Sequence, residues 1–299
     1  MQETFATDCE VFFVFNGTAA NSLALAALAA PFNAVVAHAK SHVEQDECGA
    51  PAFFTGGAGL ILVSGGDDGK MTPDAIEHVL TGRRELHSQK PRAVSLAQST
   101  ELGGVYSPQE IAAISALCRQ HDLRLHMDGA RFGNAVAALG CAPADVTWRA
   151  GVEVLCFGGT KGGGLINEAV VFFNRELARD FDYRAKQAGQ LASKMRFLSA
   201  PWIGLLEDDA WLRHARHANA CARQLADATR TVTGLRVLND PPAASAVFIE
   251  IPDETAAALH ARGWHFYKFI GERGYRFMCS WATRKEDVEA LVSDCHALA

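Results

Sequence analysis

The chain has 299 residues, of which 49% are hydrophobic and 21% are charged, and this composition excludes a disordered chain, collagen and a coiled-coil rod. With 28 basic and 34 acidic residues the formal net charge is −6, so the surface as a whole repels nucleic acid, although a local basic pocket can still hold a small anion. The length suffices for one large domain and a smaller one.

Seven short apolar runs in the first 173 residues predict strands, with helical stretches between them. The clearest helix is Ser107 to His121, where Ser107 is the N-cap, Pro108 occupies the first turn and Glu110 completes a capping box. The alternation predicts an α/β fold with a mainly parallel sheet and helices on both faces. The seven runs are VFFVF (11–15), AVVA (34–37), LILV (60–63), RAVSLA (92–97), LRLHMD (123–128), VEVLCF (152–157) and EAVVFF (168–173).

The pattern changes after Phe173. Long helical stretches rich in Arg, Lys and Gln extend over about 175–230, and the turn-rich segment NDPPAA follows at 239–244. Beyond it come AVFIEI, a helix from Asp253 to Arg262, RFMCSW and a closing helix from Arg284. We predict a large domain over residues 1–205 and a small α+β domain over residues 206–299.

Several features bear on compartment and on metals. The eight cysteines lack the close pairs of zinc sites and redox motifs, and no HExxH helix is present, so we predict reduced thiols and no metal. The first ten residues carry three acids and no basic segment ahead of an apolar stretch, unlike a secretory signal. The longest small-apolar stretch, Ala19 to Phe32, is too short to span a bilayer. We expect a cytoplasmic protein with no membrane or nucleic-acid partner.

The end of the first predicted strand is a candidate anion site, because ligands of open α/β sheets bind outside the carboxyl ends of the strands. Asn16, Gly17 and Thr18 directly follow VFFVF and precede an Ala-rich helix. Free N–H groups at a helix start attract an anion, and glycine allows the backbone to approach it. An ordinary turn from strand to helix explains the same residues equally well.

Two further strand ends carry charged residues. Asp128 closes LRLHMD, and a carboxylate at the tip of an apolar strand requires a partner, which Arg131 could be. Lys161 lies between glycines in FGGTKGGG after a buried strand. In a desolvated site its amine becomes nucleophilic toward a carbonyl, whereas a flexible surface lysine is the alternative.

These three groups, in this chain order, resemble fold-type I pyridoxal-phosphate enzymes. The segments FVFNGTAANSLAL, HVEQDECGA, LHMDGARFGNA, CFGGTKGGG and KQAGQLASKMRFLSAPW more closely resemble bacterial low-specificity L-threonine aldolases, and the similarity extends from Cys9 to the last helix. The resemblance implies a transferase-like fold and a lyase that uses pyridoxal 5'-phosphate. Its reaction is retro-aldol cleavage of L-threonine, L-allo-threonine or phenylserine to glycine and an aldehyde.

The resemblance also implies roles at the cofactor. Lys161 would hold the cofactor as a Schiff base, and Asp128 would face the pyridine nitrogen and keep it protonated. Gly17 and Thr18 would bind the phosphate, with Thr160 as an additional donor.

Roles at the substrate are implied in the same way. Arg131 and Arg276 would bind the substrate carboxylate, for which the planar guanidinium is suited. His42 would stack on the ring, and His42 or a water that it orients is the candidate base for the β-hydroxyl. Glu101 is a second candidate helper, and Lys186 and Arg196 would reach the phosphate region, in some relatives across a subunit interface.

Relatives of this kind begin some tens of residues earlier, with a leader that lies at the active site, whereas Met1 here stands almost directly before the first strand. If the leader is absent, we expect weaker cofactor retention or a damaged oligomer, which is a homotetramer or homodimer in the family. A second departure is KGGG in place of the commoner Lys-Asn-Gly. A β-eliminating lyase or racemase on the same fold, or a non-catalytic remnant, remains the alternative.

Overall fold

The computed structural model describes residues 1–83 and 86–299 and is built around a seven-stranded sheet. The strand order is β1-β7-β6-β5-β4-β2-β3, and β7 runs antiparallel to both of its neighbours, while the strands from β6 to β3 run parallel. All seven strands predicted from the apolar runs are present, and the mainly parallel sheet is confirmed. The strands are β1 (Glu10–Val14), β2 (Asn33–His38), β3 (Gly59–Val63), β4 (Lys90–Ala97), β5 (Arg124–Gly129), β6 (Val154–Gly158) and β7 (Glu168–Phe172).

Helices cover both faces of this sheet, as predicted. One buried cluster contains Ile76, Ile111 and Phe132, and a separate cluster on the opposite face contains Leu25 and Phe181. The helices are α1 (Gln2–Phe5), α2 (Gly17–Leu28), α3 (His42–Gln45), α4 (Ala50–Phe54), α5 (Pro73–Thr81), α6 (Pro108–Gln120), α7 (Phe132–Leu139), α8 (Phe181–Gln187), α9 (Arg196–Leu206), α10 (Ala210–Thr229), α11 (Asp253–Ala261) and α12 (Lys285–Leu298). The long helical stretch expected over 175–230 is thus divided into α8, α9 and α10.

A second, antiparallel sheet of four strands lies in the C-terminal part of the chain, with the order β10-β11-β9-β8. It packs with α10, α11 and α12 around a core of its own that includes Val247 and Leu259. The small α+β unit is therefore present, and the boundary at residue 205 stays a prediction. The strands are β8 (Arg236–Val237), β9 (Ala246–Glu250), β10 (Tyr267–Ile270) and β11 (Gly274–Met278).

All eight cysteines are free thiols, and most of them are buried. Within residues 1–83 and 86–299, every helix is too short or too polar to cross a lipid bilayer.

Candidate active site

A cavity of about 280 Å³ opens at the carboxyl ends of the strands. Its wall is formed by the turn after β1, the start of α2, the end of β5 and the loop between β6 and β7, together with His42. The three strand ends singled out in the sequence meet here, because Gly17, Asp128 and Lys161 all line this cavity. The carboxyl edge of a parallel sheet is where such folds bind ligands.

Asp128 lies in β5, and its side chain is almost fully buried at the cavity wall, with 8% exposure. Its Oδ2 accepts a hydrogen bond from Nδ2 of Asn21 at 2.9 Å, and its Oδ1 accepts one from the backbone N–H of Ala130 at 2.9 Å. These two donors fix the orientation of the carboxylate. The cation suggested as its partner, Arg131, forms an ion pair with Glu101 instead.

Lys161 lies in a short 3₁₀ turn directly after β6. Its side chain is exposed to the open cavity, but neighbouring protein atoms remove part of its surrounding water. This desolvation lowers the pKa of Lys161, and the nearby positive charge of Arg131 lowers it further, while three neighbouring carboxylates oppose both effects. A lowered pKa increases the neutral fraction of the amine, which is its nucleophilic form.

The first turn of α2 faces the same cavity. Asn16 caps this helix, and its Oδ1 accepts from the backbone N–H of Ala19 at 2.8 Å. Gly17 and Thr18 follow and line the cavity, and a Cβ on Gly17 would meet no heavy atom of the described residues within 4 Å, apart from its chain neighbours and the backbone of its own helix. This open space beside a helix N-terminus suits the close approach of a phosphate to the backbone.

His42 is the first residue of α3 and lines the cavity. Its Nδ1 lies 2.9 Å from Oε1 of Glu47, a carboxylate that is 2% exposed. This hydrogen bond raises the pKa of His42, while partial burial lowers it. Its roles in stacking and as a base stay predictions.

Arg131 and Arg276 are held together by one carboxylate. Oε1 of Glu101 lies 3.5 Å from Nη1 of Arg131, and Oε2 lies 3.1 Å from Nη1 of Arg276. The guanidinium of Arg276 also lies 4.1 Å from the centre of the Phe269 ring. The two arginines predicted to bind the substrate carboxylate are therefore brought together from different sheets, and Glu101 organises them.

The other predicted residues divide into two groups. Thr160 lines the cavity, and its Oγ1 accepts from the backbone N–H of Asn167 at 3.2 Å. Lys186 and Arg196 are exposed, on α8 and α9, and do not line the cavity of this chain. Their contact with the phosphate stays a prediction that requires a second subunit.

Three buried polar residues at this site were not predicted. Glu168 at the start of β7 lines the cavity, and burial raises its pKa to about 7. Asn21 also lines the cavity, and Glu47 lies hydrogen-bonded to both His42 and Asn21. The sequence offered only weak signals for these residues. Asn21 is an amide within an apolar helix, and Glu168 is an acid at the start of an apolar strand.

His42, Glu47 and Asp128 also present ligand atoms within 4.8 Å of one another, a spacing that a metal ion could use. Nδ2 of Asn21 donates to Oε1 of Glu47 at 2.8 Å and to Oδ2 of Asp128 at 2.9 Å. Because an amide NH2 group thus bridges the two carboxylates, we interpret the cluster as a hydrogen-bonded network.

The residues of the cavity fit pyridoxal phosphate, the cofactor that the sequence resemblance implies. An amine with a lowered pKa suits an aldehyde, an oriented carboxylate suits a pyridine nitrogen, and the open helix start at Gly17 suits a phosphate.

Comparisons with known sequences point in the same direction. A profile of the family described as "Beta-eliminating lyase" matches residues 1–254. The low specificity L-threonine aldolase of Pseudomonas aeruginosa is 57% identical over 293 residues, which cover 98% of this chain and 84% of that protein. The enzyme of the same name from a Pseudomonas species is 55% identical over 297 residues, covering 99% and 85%.

Solved structures are also similar. A threonine aldolase from Leishmania major superimposes with a TM-score of 0.92 at 27% identity, covering 100% of this chain and 87% of that one. An aspartate aminotransferase from Thermus thermophilus gives a TM-score of 0.70 at 18% identity, covering 97% and 76%, and bears on the fold alone.

Proposed function

Because this chain belongs to the beta-eliminating lyase family and, within it, to the low-specificity L-threonine aldolases, we propose that it cleaves β-hydroxy-α-amino acids between Cα and Cβ. The products are glycine and an aldehyde. L-Threonine, L-allo-threonine and phenylserine are the proposed substrates. The enzyme is a carbon–carbon lyase that depends on pyridoxal 5'-phosphate.

When bound, pyridoxal phosphate supplies the electron sink for the pair released from the broken Cα–Cβ bond. We assign Lys161 to the aldehyde of this cofactor, since its lowered pKa leaves a nucleophilic amine. Asp128 would hold the ring nitrogen and stabilise its protonated form. Gly17 and Thr18 at the start of α2, with Thr160, would bind the phosphate, since all three line the cavity.

Arg131 and Arg276 bind the substrate carboxylate. Each guanidinium can donate two parallel hydrogen bonds, so the pair fixes both the position and the rotation of the amino acid. Glu101 forms ion pairs with both arginine side chains and holds them close to each other. We expect this anchoring to fix the orientation of the Cα–Cβ bond relative to the cofactor.

His42 accepts the proton of the β-hydroxyl group, directly or through a water. Removal of this proton turns the hydroxyl oxygen into the carbonyl oxygen of the departing aldehyde, as the Cα–Cβ bond breaks. A proton then returns to Cα, and glycine is released.

The observation that carries this proposal is the meeting of Lys161, Asp128 and the start of α2 around one cavity. The test supplies the purified chain with pyridoxal phosphate and either L-threonine or phenylserine. We expect glycine with acetaldehyde in the first case and glycine with benzaldehyde in the second. Lys161→Ala should lose activity and borohydride-stable cofactor, whereas Lys285→Ala, at an exposed lysine of α12, should retain both.

Other products would overturn the proposal. Pyruvate and ammonia from serine would indicate β-elimination, and a D-amino acid without cleavage would indicate a racemase. A chain that binds no cofactor and forms no product would be a non-catalytic remnant.

We further propose that the enzyme is a homodimer or homotetramer in the cytoplasm. Eight free cysteines are typical of a reducing compartment. Exposed apolar side chains at the rim of the cavity, Leu165 and Ile166, support burial against a second copy.

A further inference from the structure

A continuous chain of hydrogen bonds runs behind the cavity from His42 to Asp128. Nδ1 of His42 lies 2.9 Å from Oε1 of Glu47, and the same oxygen accepts from Nδ2 of Asn21 at 2.8 Å. The second N–H of that amide donates to Oδ2 of Asp128 at 2.9 Å. Glu47 and Asn21 are each 2% exposed.

This chain of bonds joins three elements that are distant in sequence. Glu47 follows α3, Asn21 lies in the second turn of α2, and Asp128 is in β5. Burying two carboxylates so close together costs free energy unless each is hydrogen-bonded. Asn21 reduces that cost because its single NH2 group serves both of them.

We propose that Glu47 is a positioning residue that fixes the ring and the tautomer of His42, and that Asn21 joins this pair to Asp128. The inference rests on the proposed function, because Glu47 would position His42, the base of the proposed reaction. An ionised carboxylate only accepts hydrogen bonds, so the Nδ1–H of His42 is the donor. The lone pair of neutral His42 is then on Nε2, the nitrogen left free to accept a substrate proton.

The charges around His42 act in the same direction. Glu47 raises the pKa of His42 through its hydrogen bond, against the effect of burial, and Asp128 from β5 and Glu101 from the loop after β4 add to the increase. Burial raises the pKa of Glu47 itself, and its bonds to His42 and Asn21 oppose that effect. A higher pKa of His42 strengthens it as a base and moves the acid limb of activity to higher pH.

Histidine NMR of the purified full chain, with and without added pyridoxal phosphate, tests this inference. Ring-labelled histidine reports both tautomer and pKa, and the His42 signal is assigned by its loss in His42→Asn. We expect the Nδ1–H tautomer in the parent. In Glu47→Gln the amide can also donate to Nδ1, so we expect a mixture of tautomers and a pKa of His42 lower by about one unit.

Two matched controls separate this role from general damage. Glu44→Gln makes the same change at an exposed acid of α3, and Ser22→Ala removes a buried hydroxyl next to Asn21 that has no partner among the described residues. Both should leave the tautomer and the pKa of His42 unchanged. Asn21→Ser should shift that pKa, because Glu47 loses a donor.

Kinetics supply a second measurement. The acid limb of the kcat profile should move to lower pH by about one unit in Glu47→Gln, with KM for the substrate changed less than twofold. If Glu47→Gln does not fold, Glu47→Asp keeps the charge and shortens its reach, and it should also yield mixed tautomers. If the tautomer and the pKa of His42 are unchanged in the folded Glu47 variant, the inference is overturned.

The two proposals fail in different ways. The inference fails if the NMR spectrum shows the same tautomer and pKa of His42 with and without Glu47, while the parent still cleaves threonine. Loss of the proposed function appears as a parent that forms no glycine, whatever the state of His42.

Discussion

At the scale of single residues, Glu168 is a buried acid with a raised pKa. It is 7% exposed at the start of β7, and burial raises its pKa from an ordinary 4.5 to about 7, although Thr160 and Lys161 oppose the increase. Between these two values the folded chain retains a proton that the unfolded chain releases. The contribution of Glu168 to folding stability is therefore complete below about pH 4.5 and falls as the pH rises toward 7.

Glu168→Gln removes this titration, so the variant should gain stability relative to the parent as the pH rises from about 5 to about 8. One pKa unit corresponds to about 1.4 kcal/mol, which limits the gain to about 3 kcal/mol. Urea unfolding of the purified chains at several pH values measures it. Glu254→Gln, at an exposed acid of α11, is the control. A difference between variant and parent that does not depend on pH would contradict the prediction.

Glu101 sets the net charge of the proposed site for the substrate carboxylate. Arg131 and Arg276 supply two positive charges and Glu101 one negative charge, so the cluster is matched to a single substrate carboxylate. In Glu101→Gln we expect malonate to gain about tenfold over acetate as an inhibitor, a difference of about 1.4 kcal/mol. Competition against threonine cleavage gives the ratio. Glu101→Asp keeps the charge and should keep the ratio, and a constant ratio in Glu101→Gln would refute the assignment.

The residues found from the sequence share one property. Gly17, Asp128 and Lys161 each lie at or next to a strand end, so the order of strands alone brings them together. Glu47 and Asn21 could not be found in this way, because their hydrogen bonds depend on side chains that meet across α2, α3 and β5. The polar residues around Glu47 in the sequence predict an acid exposed to solvent, whereas the fold buries it.

At the scale of elements, α6 shows how local chemistry fixes a boundary. Ser107 Oγ accepts from the backbone N–H of Glu110 at 3.2 Å, and the Ser107 N–H donates to Oε2 of Glu110 at 2.7 Å. The capping box predicted from the sequence is thus present, with Pro108 in the first turn.

Removal of this cap should affect stability and leave catalysis intact. Ser107→Ala should cost about 1 kcal/mol, which lowers Tm by about 2 °C in a chain of this size. Thr72→Ala, which removes the cap of α5, should give a similar shift. Scanning calorimetry and the threonine assay together test this, and a large loss of activity in Ser107→Ala would contradict it.

Elements without such local signals were missed. β8 has two residues and β10 four, so neither forms the apolar run that identifies a strand. Their pairing partners β9 and β11 lie next to them in the sheet and supply the hydrogen bonds that stabilise them. The seven strands of the large sheet were predictable because most are buried on both faces and are rich in Val, Leu and Phe.

At the scale of the whole molecule, the proposed substrate site draws its two arginines from both parts of the chain. Arg131 follows β5 of the large sheet, while Arg276 lies in β11 of the small one. Glu101 pairs with both, so this ion-pair cluster joins the two parts of the chain. Sequence reasoning identified Arg276 only by resemblance, because an arginine in a short strand carries no signal of what it faces.

The rim of the cavity supports the proposal of a second copy. Leu165 is 79% exposed and Ile166 is 60% exposed, both in the loop between β6 and β7 that also contains Lys161. Apolar side chains beside a functional cavity favour burial against a partner. Leu165→Glu should therefore reduce the mass measured by light scattering, since a buried charge without a partner destabilises an interface.

The same variant should retain pyridoxal phosphate less well, because separation of the subunits opens one side of the cavity to water. Absorbance of bound cofactor after gel filtration measures this loss. Leu86→Glu places the same charge at a fully exposed leucine and should change neither mass nor cofactor content. A parent chain that is monomeric and still retains its cofactor would show that the rim needs no partner, and Leu165 would then be free to contact the substrate.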